Sequence, residues 1–344
     1  MRKEVLAVGC ALMVFCGCGK NNAAQHYESG WAAMGKKDYT TAVNEFQQVI
    51  DQNSRLAESY RAEGIAYYSE KAYPEAIAAF SRSLNNMDDP DKEFKKDVQF
   101  YLAQARMDYG EVDKAIEVYS EILKAGEDEQ AFFLRGKAYI SMEDYKNAEK
   151  DFQRALEGCE DYNLYINIYQ IYVDHNKAVD GDAYLKMALE LEPQDGEDCY
   201  HRGRIYEYEK NYEAARDELK TAMEQGYEDA MLLLGRVYLE MEDPGSARSM
   251  YQEYLQKSEQ GAKAYNGLAM CDIYDGAYDS ALENIAQGLK ENSKEDEQGL
   301  LYNEIVAYEY KRDFATAKEK MKIYLEQYPE DEAALRENEF LSTR

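Results

Sequence analysis

The sequence predicts an all-α fold built from about nine copies of one helical hairpin, closed by a C-terminal capping helix. Three observations carry that prediction. The 344 residues include only 5 Pro and 21 Gly in a background rich in Ala, Glu, Lys, Leu and Tyr, too few chain breakers for a many-turned β fold. A small residue recurs nine times, at Ala42, Ala76, Ala115, Ala148, Gly181, Ala215, Ala247, Ala281 and Ala317. Beside each recurrence the apolar residues fall on one helical face, as in Ala42, Phe46 and Val49-Ile50, spaced i, i+4, i+7 and i+8.

The first element is an address. Met1 to Glu4 is a short basic start, and the apolar run Val5 to Cys16 is too short to span a bilayer. The run ends in Val14-Phe15-Cys16-Gly17-Cys18-Gly19, which resembles a bacterial lipobox, with Phe15 where Leu is usual. The resemblance implies cleavage after the small Gly17 and acylation of Cys18, and bulky Phe15 disfavours Cys16. Residues 1–17 are thus expected to be a lipoprotein signal peptide, and 18–22 the lipidated Cys with a short tether. The implied location is extracytoplasmic, lipid-anchored to the outer face of a cytoplasmic membrane or to an outer membrane.

The repeats follow from residue 23 to 329. Successive small-residue slots lie 34, 39, 33, 33, 34, 32, 34 and 36 residues apart. Twelve residues before each slot stand Gly30, Gly64, Ala103, Gly136, Tyr169, Gly203, Gly235, Ala269 and Ile305. Four residues after it stand Phe46, Phe80, Tyr119, Phe152, Leu185, Leu219, Tyr251, Ile285 and Met321. This spacing resembles the tetratricopeptide repeat signature. The resemblance implies a right-handed α-solenoid in which the small residue of helix A lets the large residue of helix B approach closely. Tyr169 and Ile305 depart from the small-residue rule, and Gly181 replaces Ala, so hairpins five and nine are expected to pack irregularly.

Local chemistry agrees. Asp38, Asp144, Asn211, Asp243 and Asp313 precede the second helix of their hairpins, where a side-chain oxygen can cap exposed N–H groups. Pro193 and Pro329 stand where a second helix should stop. The 39-residue interval puts about five extra residues around Asn85 to Lys96, a polar stretch read as a longer loop or helix end and a hinge. Residues 330–344, with Ala334, Leu335 and Phe340-Leu341 at helical spacing, read as the cap that a solenoid end requires.

Composition bounds the function. A formal charge of -28 excludes a phosphate backbone as the main partner, because nucleic-acid affinity needs clustered Lys and Arg. The acidity keeps an extended surface soluble or steers basic partners, and the sequence leaves both open. His26, His175 and His201 lack metal-ligand spacing, and no phosphate loop, nucleophile elbow or catalytic carboxylate pair is placed in a fitting context. The expectation is a non-enzyme with no metal and no cofactor.

In the resembled family, helix A lines a concave groove. Counting from each small residue carries Trp31, Tyr68, Phe100, Phe133, Lys137, Tyr200, Arg204, Tyr208, Arg236 and Tyr274 into it, with Tyr27, Tyr302 and Tyr310 beside them. These aromatics either stack on neighbouring helices or form binding hot spots. The family's clamp for a C-terminal carboxylate, a set of Lys, Asn and Arg, is not reproduced at the corresponding slots. Two functions stay open: a membrane-tethered scaffold that holds partner proteins or peptides in the groove, or a lipoprotein that captures peptide or glycan for a transporter.

Overall fold

The computed structural model describes residues 22–87 and 91–344. Cys18 and the signal-peptide reading lie outside the described residues, as do residues 88–90 of the polar stretch after Asn85. The described residues form nineteen helices and no strand. Nine are first helices: α1 (Asn22–Gly35), α3 (Leu56–Ser69), α5 (Lys92–Tyr109), α7 (Glu129–Ser141), α9 (Tyr162–Asp174), α11 (Gly196–Tyr208), α13 (Ala230–Glu240), α15 (Ala262–Tyr274) and α17 (Lys294–Tyr310). Their partners are α2 (Tyr39–Asp51), α4 (Tyr73–Asn85), α6 (Val112–Ala125), α8 (Tyr145–Ala155), α10 (Ala178–Leu189), α12 (Tyr212–Glu224), α14 (Pro244–Lys257), α16 (Tyr278–Lys290) and α18 (Phe314–Gln327), and α19 (Glu332–Ser342) follows as the cap. The extra residues of the 39-residue interval lengthen α5, which runs to 18 residues.

The chain divides into two compact units, Met1–Tyr184 and Leu185–Arg344. Within each, hairpin partners pack along their length and each hairpin docks on the next, as α4 does on α5 and α12 on α13.

The hairpin turns have the predicted cause. Asp38, Asp144, Asn211, Asp243 and Asp313 each accept a hydrogen bond from the backbone N–H three residues on, at 3.0–3.3 Å. Such caps stabilise a helix by about 1 kcal/mol each. A second device was not legible in the sequence. Two residues before each second helix the backbone turns left-handed, at Lys37, Lys71, Glu143, Asn176, Lys210, Glu242 and Arg312, and at Gly110 and Gly276. Only two of these nine turns use the residue that adopts this conformation without strain.

Close approach holds each hairpin together. A Cβ added to Gly30, Gly64, Gly136 or Gly235 would come within 2.5–2.7 Å of the ring of Phe46, Phe80, Phe152 or Tyr251, respectively. All four rings are buried, so the missing side chain is what admits them. In hairpin five the roles are exchanged. Bulky Tyr169 on α9 meets Gly181 on α10, where an added Cβ would lie 3.0 Å from the Tyr169 ring. The seam expected to be irregular is thus matched by a small residue on the opposite helix. In hairpin nine, Ile305 and Met321 are both buried in one cluster with Tyr324 and Leu341 of the cap.

Several arginines tie the seams together through acidic partners. Arg135 on α7 makes two 2.7 Å bonds to buried Asp151 on α8 and a 2.9 Å bond to Ser120 on α6, linking two hairpins. Arg202 on α11 reaches Glu218 at 2.8 Å and the carbonyls of Leu189 and Leu191. Arg248 on α14 spans Asp272 and Asp275, and Asn284 satisfies the other Asp272 oxygen at 2.7 Å. Among the described residues no helix is long and apolar enough to cross a membrane.

Candidate functional site

The first helices of the second unit make a trough. α11, α13, α15 and α17 touch in succession. A cavity of about 790 Å³ opens along them, within the usual size range of ligand sites. A second cavity of about 340 Å³ shares Glu295 and Gly299 with the first and carries the trough toward α19. With neighbouring helices packed about 8–10 Å apart, three steps span roughly 25–30 Å.

Three rows of side chains form its walls. Three residues before the close-approach slot stand Tyr200, Leu232, Asn266 and Tyr302, one from each helix. Six residues before it stand Asp229, Lys263 and Gly299, and one residue after it stand Arg236 and Met270. The floor comes from Tyr251 and Tyr254 of α14. They show through because α13 and α15 carry Gly235 and Gly267 over the Tyr251 ring, where an added Cβ would lie 2.6 and 2.3 Å away. Gly299 keeps the far wall open, its nearest neighbour in the place of a side chain being the Asn266 amide at 3.3 Å. The Asn266 oxygen accepts from the Asn303 amide at 2.8 Å, which fixes the orientation of Asn266.

Electrostatics shape the trough further. Arg236 grips Glu207 of α11 through two bonds of 2.6 and 2.7 Å, and Lys263 faces Glu295 and Asp296 at 3.5 and 3.9 Å. Tyr200 packs on Tyr227 with ring centroids 4.9 Å apart, and the Arg204 guanidinium stands 5.9 Å from its centroid. Burial pushes the Tyr200 phenol up, and burial pushes Tyr227 up to about 12, so both stay neutral hydrogen-bonding groups. At the far end the Tyr324 hydroxyl donates to Asp331 at 2.6 Å. That bond, together with the backbone N–H of Ala334, holds the Asp331 carboxyl below its usual range.

Of the residues that the sequence singled out, Tyr200 and Arg236 line the larger cavity and Tyr302 the smaller. Arg204 flanks them, its Nη1 lying 3.2 Å from His201 Nδ1. Tyr208, Tyr274 and Tyr310 are the last residues of their helices, exposed and outside both cavities. In the first unit the candidates are spread along separate seams. Trp31 packs edge-on against Phe46 at 5.5 Å, Phe100 against Tyr119 at 6.3 Å and Phe133 against Phe152 at 6.2 Å. The Tyr68 hydroxyl donates to Asp108, and Lys137 is exposed. The trough residues missed from sequence, Leu232, Asn266 and Met270, occupy the same offsets as Tyr200 and Arg236. Their row offset, and not their residue type, is the signal that marks them in the sequence.

Among the described residues no group of three or more His, Cys, Asp or Glu could hold a metal ion. Cys159, Cys199 and Cys271 are free thiols, and burial pushes Cys271 up to about 11.

The fold and the trough define a helical-repeat protein with a lateral docking surface. A tetratricopeptide repeat profile matches residues 27–91, 200–262 and 232–297, and a second profile of the same repeat matches 129–161. Together they cover more than half of the chain, which belongs to the tetratricopeptide repeat family. Proteins of this family are in general interaction scaffolds that bind protein or peptide partners. The chain is 26% identical over 103 residues to BBSome complex member BBS4 of Bos taurus, a match covering 30% of this chain and 20% of that protein. It thus spans about a fifth of the length of that relative. Among solved structures it is similar to a tetratricopeptide repeat protein from Parabacteroides merdae ATCC 43184, at 16% identity over 83% of this chain and 99% of that one, with a TM-score of 0.46. It is also similar to yeast Tom70, at 15% identity over 89% and 78% of the two chains, with a TM-score of 0.49.

Proposed function

We propose that this chain is a non-catalytic scaffold of a bacterial cell envelope, tethered by a lipid on Cys18 and holding a protein or peptide partner in the trough of its second unit. The observation that carries the reading is the trough itself: four successive helices contribute equivalent rows to one continuous channel floored by tyrosine rings. Amphipathic Tyr rings, Arg and Met are the residue types that dominate binding energy at protein interfaces. The order basic start, apolar run, Gly17-Cys18 and polar Lys20-Asn21-Asn22 supports the tether. Buried acyl groups contribute about 0.8 kcal/mol per CH₂, so two or three chains hold a protein at a membrane without any spanning helix.

Two measurements test this. The chain with Leu232→Asp and Met270→Asp should lose the envelope proteins that the unaltered chain retains after crosslinking. Equal retention would exclude the trough, and capture of glycans by the isolated protein would move the reading to ligand delivery. For the tether, Cys18→Ala should abolish fatty-acid labelling and release the protein from membranes. Persistence of the labelled, membrane-bound form would exclude Cys18 as the anchor, and a membrane-bound, uncleaved form that never takes the label would rule the lipid anchor out.

A further inference from the structure

We infer that the trough of the second unit selects an extended peptide segment of about nine residues carrying Lys or Arg side chains. The inference rests on the reading of the trough as the docking site and adds the chemistry of the occupant.

Both cations of the trough are already engaged. Arg236 is committed through two bonds to Glu207, and Lys263 sits between Glu295 and Asp296. On the anionic side, neither Asp229, which accepts from the Tyr254 hydroxyl at 3.5 Å, nor Glu291 has a cation within 4 Å among the described residues, although both line the cavity. Asp331 adds negative charge at the far end, its oxygens already accepting from Tyr324, Gln298 and the backbone N–H groups of Ala333 and Ala334. Among the described residues, the trough carboxylates without a cationic partner are therefore Asp229 and Glu291, and both favour positive charge. The whole chain, at -28, steers cations toward itself and repels polyanions.

The dimensions fix the length. A channel of roughly 25–30 Å takes about eight or nine residues in extended form, at about 3.3 Å each.

The test uses fluorescein-labelled nonapeptides, three repeats of Lys-Leu-Ser and the matching Gln-Leu-Ser and Glu-Leu-Ser forms, titrated by anisotropy into the full mature chain. The Lys peptide should bind at least about tenfold tighter than the Gln peptide, with no measurable binding of the Glu peptide. Asp229→Asn with Glu291→Gln should weaken Lys-peptide binding about tenfold. Glu213→Gln with Glu283→Gln, an equal change of charge on exposed positions of α12 and α16, should alter it less than about twofold. Asp229 makes no capping hydrogen bond to α13, so its replacement leaves the helix start intact, and an unchanged melting temperature verifies this. Equal losses in the two double variants would overturn the inference by making the attraction diffuse. Equal binding of Gln and Lys peptides, abolished by Met270→Asp, would also overturn it while leaving the trough as docking site. Absence of binding by every peptide, together with unchanged envelope-protein retention in the Leu232→Asp, Met270→Asp chain, would remove the docking reading itself.

Discussion

Gly267→Ala places one methyl group against a ring that has nowhere to go. The new Cβ would lie 2.3, 2.4 and 2.5 Å from three carbons of the Tyr251 ring, where ordinary carbon contacts are about 3.5–4.0 Å. Restoring contact requires a displacement of about 1.2 Å. Tyr251 is only 4% exposed, and its other side meets Gly235, where the allowance is equally absent. Overpacking of this kind costs about 1–3 kcal/mol, and here the upper part of that range applies because both sides are closed. Alanine returns about 1 kcal/mol of helix propensity over glycine. The expected net loss is about 1–2 kcal/mol, or a fall of about 2–8 °C in the melting of the second unit, followed by circular dichroism. Gly299→Ala is the matched control: its new Cβ meets only the Asn266 amide, at 3.3 Å, and should leave stability unchanged or raise it by up to about 1 kcal/mol. In a Tyr251→Leu background the Gly267→Ala penalty should shrink by at least half. A Gly267→Ala protein that melts at or above the unaltered chain would refute the close approach on which the trough floor depends.

Other consequences follow from single residues. Burial holds Glu63, only 3% exposed, at a pKa raised from 4.5 to about 7. Because the folded value lies above the unfolded one, the cost is absent below about pH 4.5, grows through pH 7 and is complete above it. Glu63→Gln should therefore be neutral near pH 4.5 and stabilising by about 1–2 kcal/mol at pH 8 in denaturant titrations, below the ceiling of about 3.4 kcal/mol for that shift. A pH-independent effect would contradict the burial argument. Glu143→Gly, at a φ of 57°, should gain about 0.5–1 kcal/mol, whereas glycine at an ordinary exposed helix position costs that much. Arg135→Leu strands Asp151, which is 5% exposed, and should cost about 3–5 kcal/mol, with much of the loss recovered in Arg135→Leu, Asp151→Leu.

The fold was legible because its determinants are local. A capping Asp and a Gly twelve residues before an Ala act within one hairpin, so Asp144 and Gly136 announce their roles from sequence spacing alone. The left-handed turns were not, because Lys37, Glu143 and Arg312 are not residues that mark such a conformation. At Tyr169 the small-residue rule failed by itself and was met by Gly181 on the partner helix, a compensation visible only when both faces are in view. The trough was half legible. Tyr200 and Arg236 stood out by type, but Asn266 and Met270 are ordinary residues whose place depends on their row. Tyr208 and Tyr274 share the aromatic chemistry, yet as helix-terminal residues about 140° around from the seam they miss the channel. The division between Tyr184 and Leu185 follows from contact density across the chain, which no local motif encodes.

Photocrosslinking in the native envelope reports directly whether partners dock on the first-helix face of the second unit. A photoreactive phenylalanine analogue at Met270, 41% exposed in the trough, is compared with the same analogue at Ile323, 45% exposed on α18 and outside both cavities. Docking in the trough gives a discrete adduct from Met270 that disappears with Leu232→Asp, and none from Ile323. Adducts from Ile323 alone, or equal adducts from both positions that survive Leu232→Asp, would contradict it.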